Sequence, residues 1–402
     1  MAKLLQINCD ANWGSIGKIA EQLGIMVQHE GWESYIAYGR DINPSQSSII
    51  RIGTKRNVYA HYLHNILYDG EGLASRNATK RLISRIRELA PSIIHLHNLH
   101  DHYINYELLF TFLKEYGCPV IWTHHDCWAF TGGCMYFSKI GCDKWKDICG
   151  ECPQRRSFIT DMSRRQLEKK KLLFTSLDNL TVVAVSQWLN DLLCQSFFKE
   201  QKIVTIYNGI DLETFHPQCG GNEREKYRIG NNKFYMAAAT AWSERKGLGD
   251  YLKLAQYLQD DERLVLVGLS KKQARNLPKN IVAIPRTQNT QEMAALYSEA
   301  SIILNLSYEE TFGLTTAEGF ACGTPSIVYN CTASPELISD GTGAIVNRGD
   351  IRGVVNAIRR IDKTPIVSEL CLQRARNLYD KNVNYVKYME LYKTLVNKRI
   401  HA

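Results

Sequence analysis

No stretch of 18 or more apolar residues occurs in this chain, so no segment reads as a membrane-spanning helix. The opening, MAKLLQINCDANWGS, has one lysine and a short apolar run. It lacks the longer apolar region of a secretory signal and reads better as a first buried strand. Internal repeats and low-complexity segments are missing, which sets aside solenoids and disordered tracts. No Asp-x-Asp pair stands at a strand end, so the usual carboxylate pair for a catalytic divalent metal is wanting. No nucleic-acid-binding motif accompanies the basic residues, and no nucleic acid partner is expected. The expectation is a protein made and kept in the cytoplasm.

What is present is ordinary globular composition, 45% hydrophobic and 22% charged. At 402 residues the chain exceeds one ordinary core and suggests two or three domains. The net charge of +8 is unevenly spread. Arg155, Arg156, Arg164, Arg165, Lys169, Lys170 and Lys171 stand against only Asp161 and Glu168. Such a run is either a solvated helix face or a contact with anionic lipid headgroups, each basic residue near the surface then contributing about 1 kcal/mol. The second reading places the protein peripherally on the inner face of the cell membrane.

Strands and helices alternate. Strands are expected at Leu4–Asn8, Ser34–Tyr38, Ile93–Leu96, Val120–Thr123, Val182–Val185 and Ile203–Tyr207. A second set follows at Phe234–Ala238, Leu264–Val267, Ile281–Ile284, Ile302–Leu306 and Ser326–Tyr329. Helical patterns lie between them, among them Gly17–His29, Lys80–Leu89, Leu248–Leu258, Thr290–Ser298, Thr315–Cys322 and Ile351–Ile361. This alternation argues for an α/β protein with two doubly wound parallel sheets. The segment NGIDLETFHPQCGGN is rich in turn formers and marks the boundary. Domains are therefore expected over residues 1–208 and 209–382, followed by an amphipathic tail helix over 383–402.

The chemistry concentrates in SYEETFGLTTAEGFACGTPSIVY. Glu310 and Glu318 stand eight residues apart, one on the loop after a buried strand and one in the first turn of a helix. Crevices beyond the carboxyl ends of parallel strands are where open α/β sheets hold ligands. Carboxylates suit sugar hydroxyls, and amides at a helix N-terminus suit phosphate, so a nucleotide sugar fits both features. The plainer alternative makes Thr315 to Glu318 a capping box and Glu310 a solvated loop residue. Arg245 and Lys246, after the first strand of the second domain, could neutralise a diphosphate or lie on the surface. Gly14 and Gly17, after β1, permit a close backbone approach or simply a tight connection. In His124-His125-Asp126 the aspartate could orient an imidazole, or the histidines could be structural. His95 and His97 alternate on a strand and read as structural or acceptor-lining.

The run Glu310-Thr311-Phe312-Gly313, then Glu318 to Pro325, resembles the signature of the family 4 retaining glycosyltransferases with the GT-B fold. The resemblance implies two Rossmann-like domains facing across a cleft, with the final helix crossing back to the first. It implies that Glu310 contacts the donor sugar and Glu318 the ribose, and that Phe312, Gly313, Leu314 and Thr315 surround the donor. It assigns His125 a place beside the donor sugar, Lys246 the phosphates, and Gly14 and Gly17 the loop over donor or acceptor. Where that family carries an arginine five positions before the lysine, this chain has Ala241, so Arg245 becomes the substitute. The family is metal-independent, and no catalytic metal is expected.

Five of the twelve cysteines lie between Cys127 and Cys152. Cys134, Cys142 and the C-x-x-C pair Cys149 and Cys152 could supply four thiolates to a structural zinc, the alternative being four reduced thiols. The string TGGC…C…W…CGECP resembles an insert of colanic-acid-type and other capsule and exopolysaccharide glycosyltransferases. The resemblances imply transfer of a hexose from a nucleoside diphosphate sugar to a glycan, lipid-linked in such pathways, within a surface polysaccharide intermediate. The competing readings are a sugar-nucleotide epimerase of the same fold and a non-catalytic glycan- or nucleotide-binding subunit.

Overall fold

The computed structural model describes residues 1–155, 157–218 and 221–400. Arg156 of the basic run, Cys219 and Gly220 of the turn-rich segment, and the last two residues of the tail lie outside the described residues. The chain divides into two compact units, Met1–Ile206 joined by the chain from Tyr385 onward, and Tyr207–Asn384.

The first unit contains β1 (Lys3–Asn8), β2 (Glu33–Tyr38), β3 (Ser48–Arg51), β4 (Ile93–Leu96), β5 (Val120–His124), β6 (Leu180–Ala184) and β7 (Lys202–Thr205). They form one sheet in the order β3-β2-β1-β4-β5-β6-β7, with every pair parallel. The central strands are buried on both faces, as continuous apolar runs such as β5 require. One layer of core joins Leu4, Ile19, Ile93, Ile121 and Val183 to Tyr385, Tyr388, Met389 and Tyr392 of the last helix, Lys381–Ile400. From Tyr385 onward that helix belongs to the first unit.

The second unit contains β8 (Lys233–Ala238), β9 (Glu262–Val267), β10 (Ile281–Ile284), β11 (Ile302–Asn305), β12 (Ser326–Tyr329) and β13 (Gly343–Val346), ordered β10-β9-β8-β11-β12-β13 and again parallel. Each sheet has one point where strand order reverses, between β1 and β4 and between β8 and β11. Loops leaving those strands diverge and open a crevice.

Two edge strands, β3 and β13, and the helices Lys55–Tyr68 and Pro365–Arg374 are additions to the sequence reading. The edges are partly exposed and four residues long, so they carry little apolar signal. The helix expected from Thr315 begins at Leu314.

Candidate active site

At the β8/β11 switch point two loops are tied together. Tyr308 donates its amide to the Arg245 carbonyl at 2.8 Å, and the Arg245 guanidinium returns a bond to the Glu309 carbonyl at 2.8 Å. Gly247 lies in the left-handed region (φ 72°), and a Cβ there would sit 2.1 Å from the Leu306 carbonyl oxygen. Only glycine allows the loops this approach. Asp250 braces the same corner, accepting hydroxyl bonds from Tyr308 and Tyr329 at 2.8 Å each. Burial pushes its carboxyl up, but those bonds and Lys253 prevail and hold it below the usual range.

This bracing brings Lys246 Nζ to 2.5 Å from Glu310 Oε1, with side chains 21% and 13% exposed. Burial alone would raise Glu310, yet the nearby ammonium, its hydrogen bond, one from Ser307 and the charge of Arg245 hold the carboxyl low. Its own amide donates to Thr332 Oγ1 at 2.9 Å, which fixes the loop. Gly313 then caps the helix Leu314–Ala321 with no side-chain hydrogen bond. The capping box is therefore not formed. Among the described residues, the amides of Leu314 and Thr315 have no acceptor within the chain, leaving an N-terminus suited to an anion. Glu318 instead accepts from the Tyr297 hydroxyl at 3.0 Å. Phe312 is buried, its ring packed near Tyr207 and Tyr379, so its side chain serves packing rather than ligand contact.

The first unit gathers histidines at its own switch point. The Gln6 amide nitrogen donates to the Ala20 carbonyl at 2.7 Å, so its Oε1 accepts from His97 Nε2 at 3.1 Å. His97 Nδ1 then carries a lone pair and accepts from His125 Nε2 at 3.2 Å. The chain of bonds sets His125 in the Nε2–H tautomer, with Nδ1 as its proton-accepting nitrogen. Burial keeps both rings neutral, lowering His97 well below its usual value and His125 to about 4.

Asp126 is paired with His100. Its Oδ2 accepts from His100 Nε2 at 2.7 Å, and its Oδ1 from the Trp128 amide at 2.8 Å. Although burial opposes the charge, Asp126 and Asp101 raise His100 well above the ordinary imidazole range. His100 was invisible to the sequence reading, its only local signal being the His-Asp dipeptide with Asp101. Asp101 and the following His102 both adopt positive φ, 77° and 69°, in a tightly held loop. Among the described residues, Glu71, His100 and Asp101 are the group whose ligand atoms lie within 4.8 Å of one another. The imidazolium already supplies the positive charge those carboxylates need. His95 is structural, bonded to Tyr392 at 2.7 Å and Thr123 at 2.8 Å. Gly14 opens the helix Gly14–His29 and is exposed, whereas Gly17 is buried against the backbone of Asp10 and Asn12.

Two family models match in succession, "Glycosyltransferase Family 4" over residues 19–214 and "Glycosyl transferases group 1" over residues 221–379. Between them they take in both sheets apart from β1. The chain is a glycosyltransferase. The Escherichia coli K12 protein WcaC, named for a colanic acid biosynthesis glycosyl transferase, is 21% identical to it over 98% of this chain and all of its own length. An alpha-galactosylglucosyldiacylglycerol synthase of Streptococcus pneumoniae is 24% identical, covering 51% of this chain and 57% of its own. Among solved structures, sucrose-phosphate synthase of Thermosynechococcus elongatus superposes with a TM-score of 0.73 at 18% identity, covering 99% of this chain and all of that one. The Anabaena protein HepE, solved with UDP-glucose, gives 0.66 at 13% identity, with 98% and 100% covered. The glycosyltransferase thus has the GT-B fold, and it is related to enzymes of colanic acid biosynthesis.

Proposed function

We propose that this glycosyltransferase moves a hexose, with retention of configuration, from a nucleoside diphosphate sugar to a glycan intermediate of a surface polysaccharide. The observation that carries the reading is the meeting of Lys246, Arg245, Glu310 and the uncapped helix N-terminus at one sheet switch point. The diphosphate would take the amides of Leu314 and Thr315 and the charges of Lys246 and Arg245. Glu318 would accept from ribose hydroxyls and Glu310 from the sugar.

In the retaining step the C1–oxygen bond to the diphosphate breaks and the electron pair leaves with the phosphate. The acceptor oxygen bonds C1 from the same face, and its proton passes to the departing phosphate oxygen. The phosphate-binding groups favour this course because charge grows on the leaving group where they point.

A lipid-linked acceptor would bring the enzyme to an anionic membrane. Among the described residues no helix is long and apolar enough to cross one. Support for surface contact comes from the helix Lys55–Tyr68, which leaves Tyr59, Tyr62, Leu63, Leu67 and Tyr68 exposed. Ser157 Oγ donates to the Leu67 carbonyl at 2.8 Å, setting exposed Phe158 and Ile159 beside that stripe. The exposed Arg164, Arg165 and Lys171 follow on the helix Ser163–Phe174. Apolar residues flanked by basic ones suit an anionic interface. Lys170 is no part of it, being fully buried.

The test is a thermal-shift and hydrolysis screen of UDP-, GDP-, ADP- and dTDP-sugars, with wild type beside Glu318→Ala. A donor that stabilises only wild type, and is slowly hydrolysed, supports the site. The anomeric configuration of the transferred product decides retention. No response to any donor would overturn the assignment.

A further inference from the structure

We propose that Cys134, Cys142, Cys149 and Cys152 hold one structural zinc ion that fastens the connection between β5 and the helix Ser163–Phe174.

Between Thr131 and Met162 the described chain contains only two short 3-10 turns, Ser138–Ile140 and Lys144–Lys146. Its apolar content is a small cluster of Phe130, Phe137 and Trp145, with ring centroids 5.0 to 6.4 Å apart. So little core does not repay the entropy of ordering thirty-odd residues of loop, and a segment of this kind ordinarily relies on a staple. The four cysteines are spread through it so that a single ion would close both halves.

The backbone already folds tightly around these cysteines. The Thr131 hydroxyl donates to the Cys134 carbonyl at 2.6 Å, and the Cys152 amide donates to Asp161 Oδ2 at 2.7 Å. Gly132 is pressed so close that a Cβ there would lie 2.9 Å from the Cys149 Cβ and 2.5 Å from the Ser163 carbonyl oxygen.

An independent observation is Lys170. Its side chain has no solvent exposure, and its ammonium donates to the carbonyls of Trp128 at 2.6 Å and Thr131 at 3.1 Å, over the Trp128 ring. Among the described residues no carboxylate comes within 4.0 Å of it. Burial pushes its pKa down to about 7, against the opposing charges of the carboxylates Glu71 and Asp126. A buried cation needs compensating charge, and zinc with four thiolates carries a net charge of −2.

Among the described residues no three of these sulfurs stand within 4.8 Å of one another. Binding would therefore draw the sulfurs together, and Cys142 and Cys152 follow the positive-φ residues Gly141 and Glu151.

The test uses the full chain purified under reducing, chelator-free conditions, with metal measured by elemental analysis. Zinc close to one per chain is expected, retained in Cys194→Ser, whose sulfur is exposed and elsewhere. Cys152→Ser should lose most of the zinc and Cys152→His should keep it, because imidazole is also a zinc ligand. A merely packing cysteine would not distinguish those two variants. Should the serine variant fail to fold, cobalt replacement in the wild type decides instead, through the intense sulfur-to-cobalt bands of a tetrathiolate site. Wild type without zinc after growth in zinc-supplemented medium, equal zinc in the serine and histidine variants, or disulfides among these cysteines in the native chain would each overturn the proposal.

Discussion

Lys246 and Glu310, 64 residues apart in sequence, form a 2.5 Å ion pair at the switch point of the second sheet. Two groups assigned to opposite ends of a donor's reacting bond thus hold each other. The pair is mostly shielded from solvent, so the low carboxyl pKa persists where a surface pair would be screened. On the proposed reading, an entering diphosphate would compete for the lysine and leave the carboxylate free to take a sugar hydroxyl.

Removing either partner should therefore hurt catalysis more than folding. Glu310→Gln is expected to lower kcat about 100-fold with donor affinity nearly unchanged. Lys246→Ala should reduce kcat/KM by at least as much. Steady-state kinetics check both, and normal turnover in the two variants would remove them from the site.

Glu318→Ala should show the reverse pattern. Its carboxylate accepts from the Tyr297 hydroxyl at 3.0 Å. Donor Kd is expected to rise about 10- to 100-fold, equivalent to 1.4–2.8 kcal/mol, as for loss of a hydrogen bond to a charged group. Calorimetric titration with the donor found in the screen gives the answer. An unchanged Kd would return Glu318 to a purely structural role.

Gln6→Leu should loosen the tautomer of His125 without touching any ligand. With the Gln6 carbonyl gone, His97 can place its proton on either nitrogen, and His125 loses its fixed acceptor. A drop in kcat of about tenfold is expected, with donor affinity preserved. Equal losses in kcat/KM for donor and in thermal stability would mean that Gln6 only packs.

His124 makes a prediction about stability. Neither of its ring nitrogens has a hydrogen-bond partner, and the ring lies edge-on between Trp122 and Phe198. Burial lowers its pKa to about 3. A histidine lowered on folding binds its proton more readily when unfolded, so the native state loses stability as pH falls below about 6.5 toward the folded value. His124→Leu should match or exceed wild-type stability at pH 7 and exceed it by more at pH 5. Melting curves at the two values test this, and an equal offset at both would refute the titration.

Much of the architecture was legible along the chain, because alternating strand and helix periods report burial locally. The central strands, Glu310, Glu318 and the Lys246 loop all fell where those periods placed them. Short edge strands escaped, since β3 and β13 are partly solvated and carry no continuous apolar run. The sequence by itself determined the parallel α/β class, the positions of the strand-end loops and the residue types offered to a nucleotide sugar. Only the tertiary structure decided which partner each polar group takes. Register pairs His95 with Ile121 and carries His97 out beside His125, while the loop beyond returns His100 to Asp126. It also buried Lys170 within a run that reads as surface charge, and turned the Phe312 ring into the core. The reason is physical. Periodicity records whether a side chain leaves water, but a hydrogen bond or ion pair depends on a distance between residues far apart in sequence, and folding alone sets that distance.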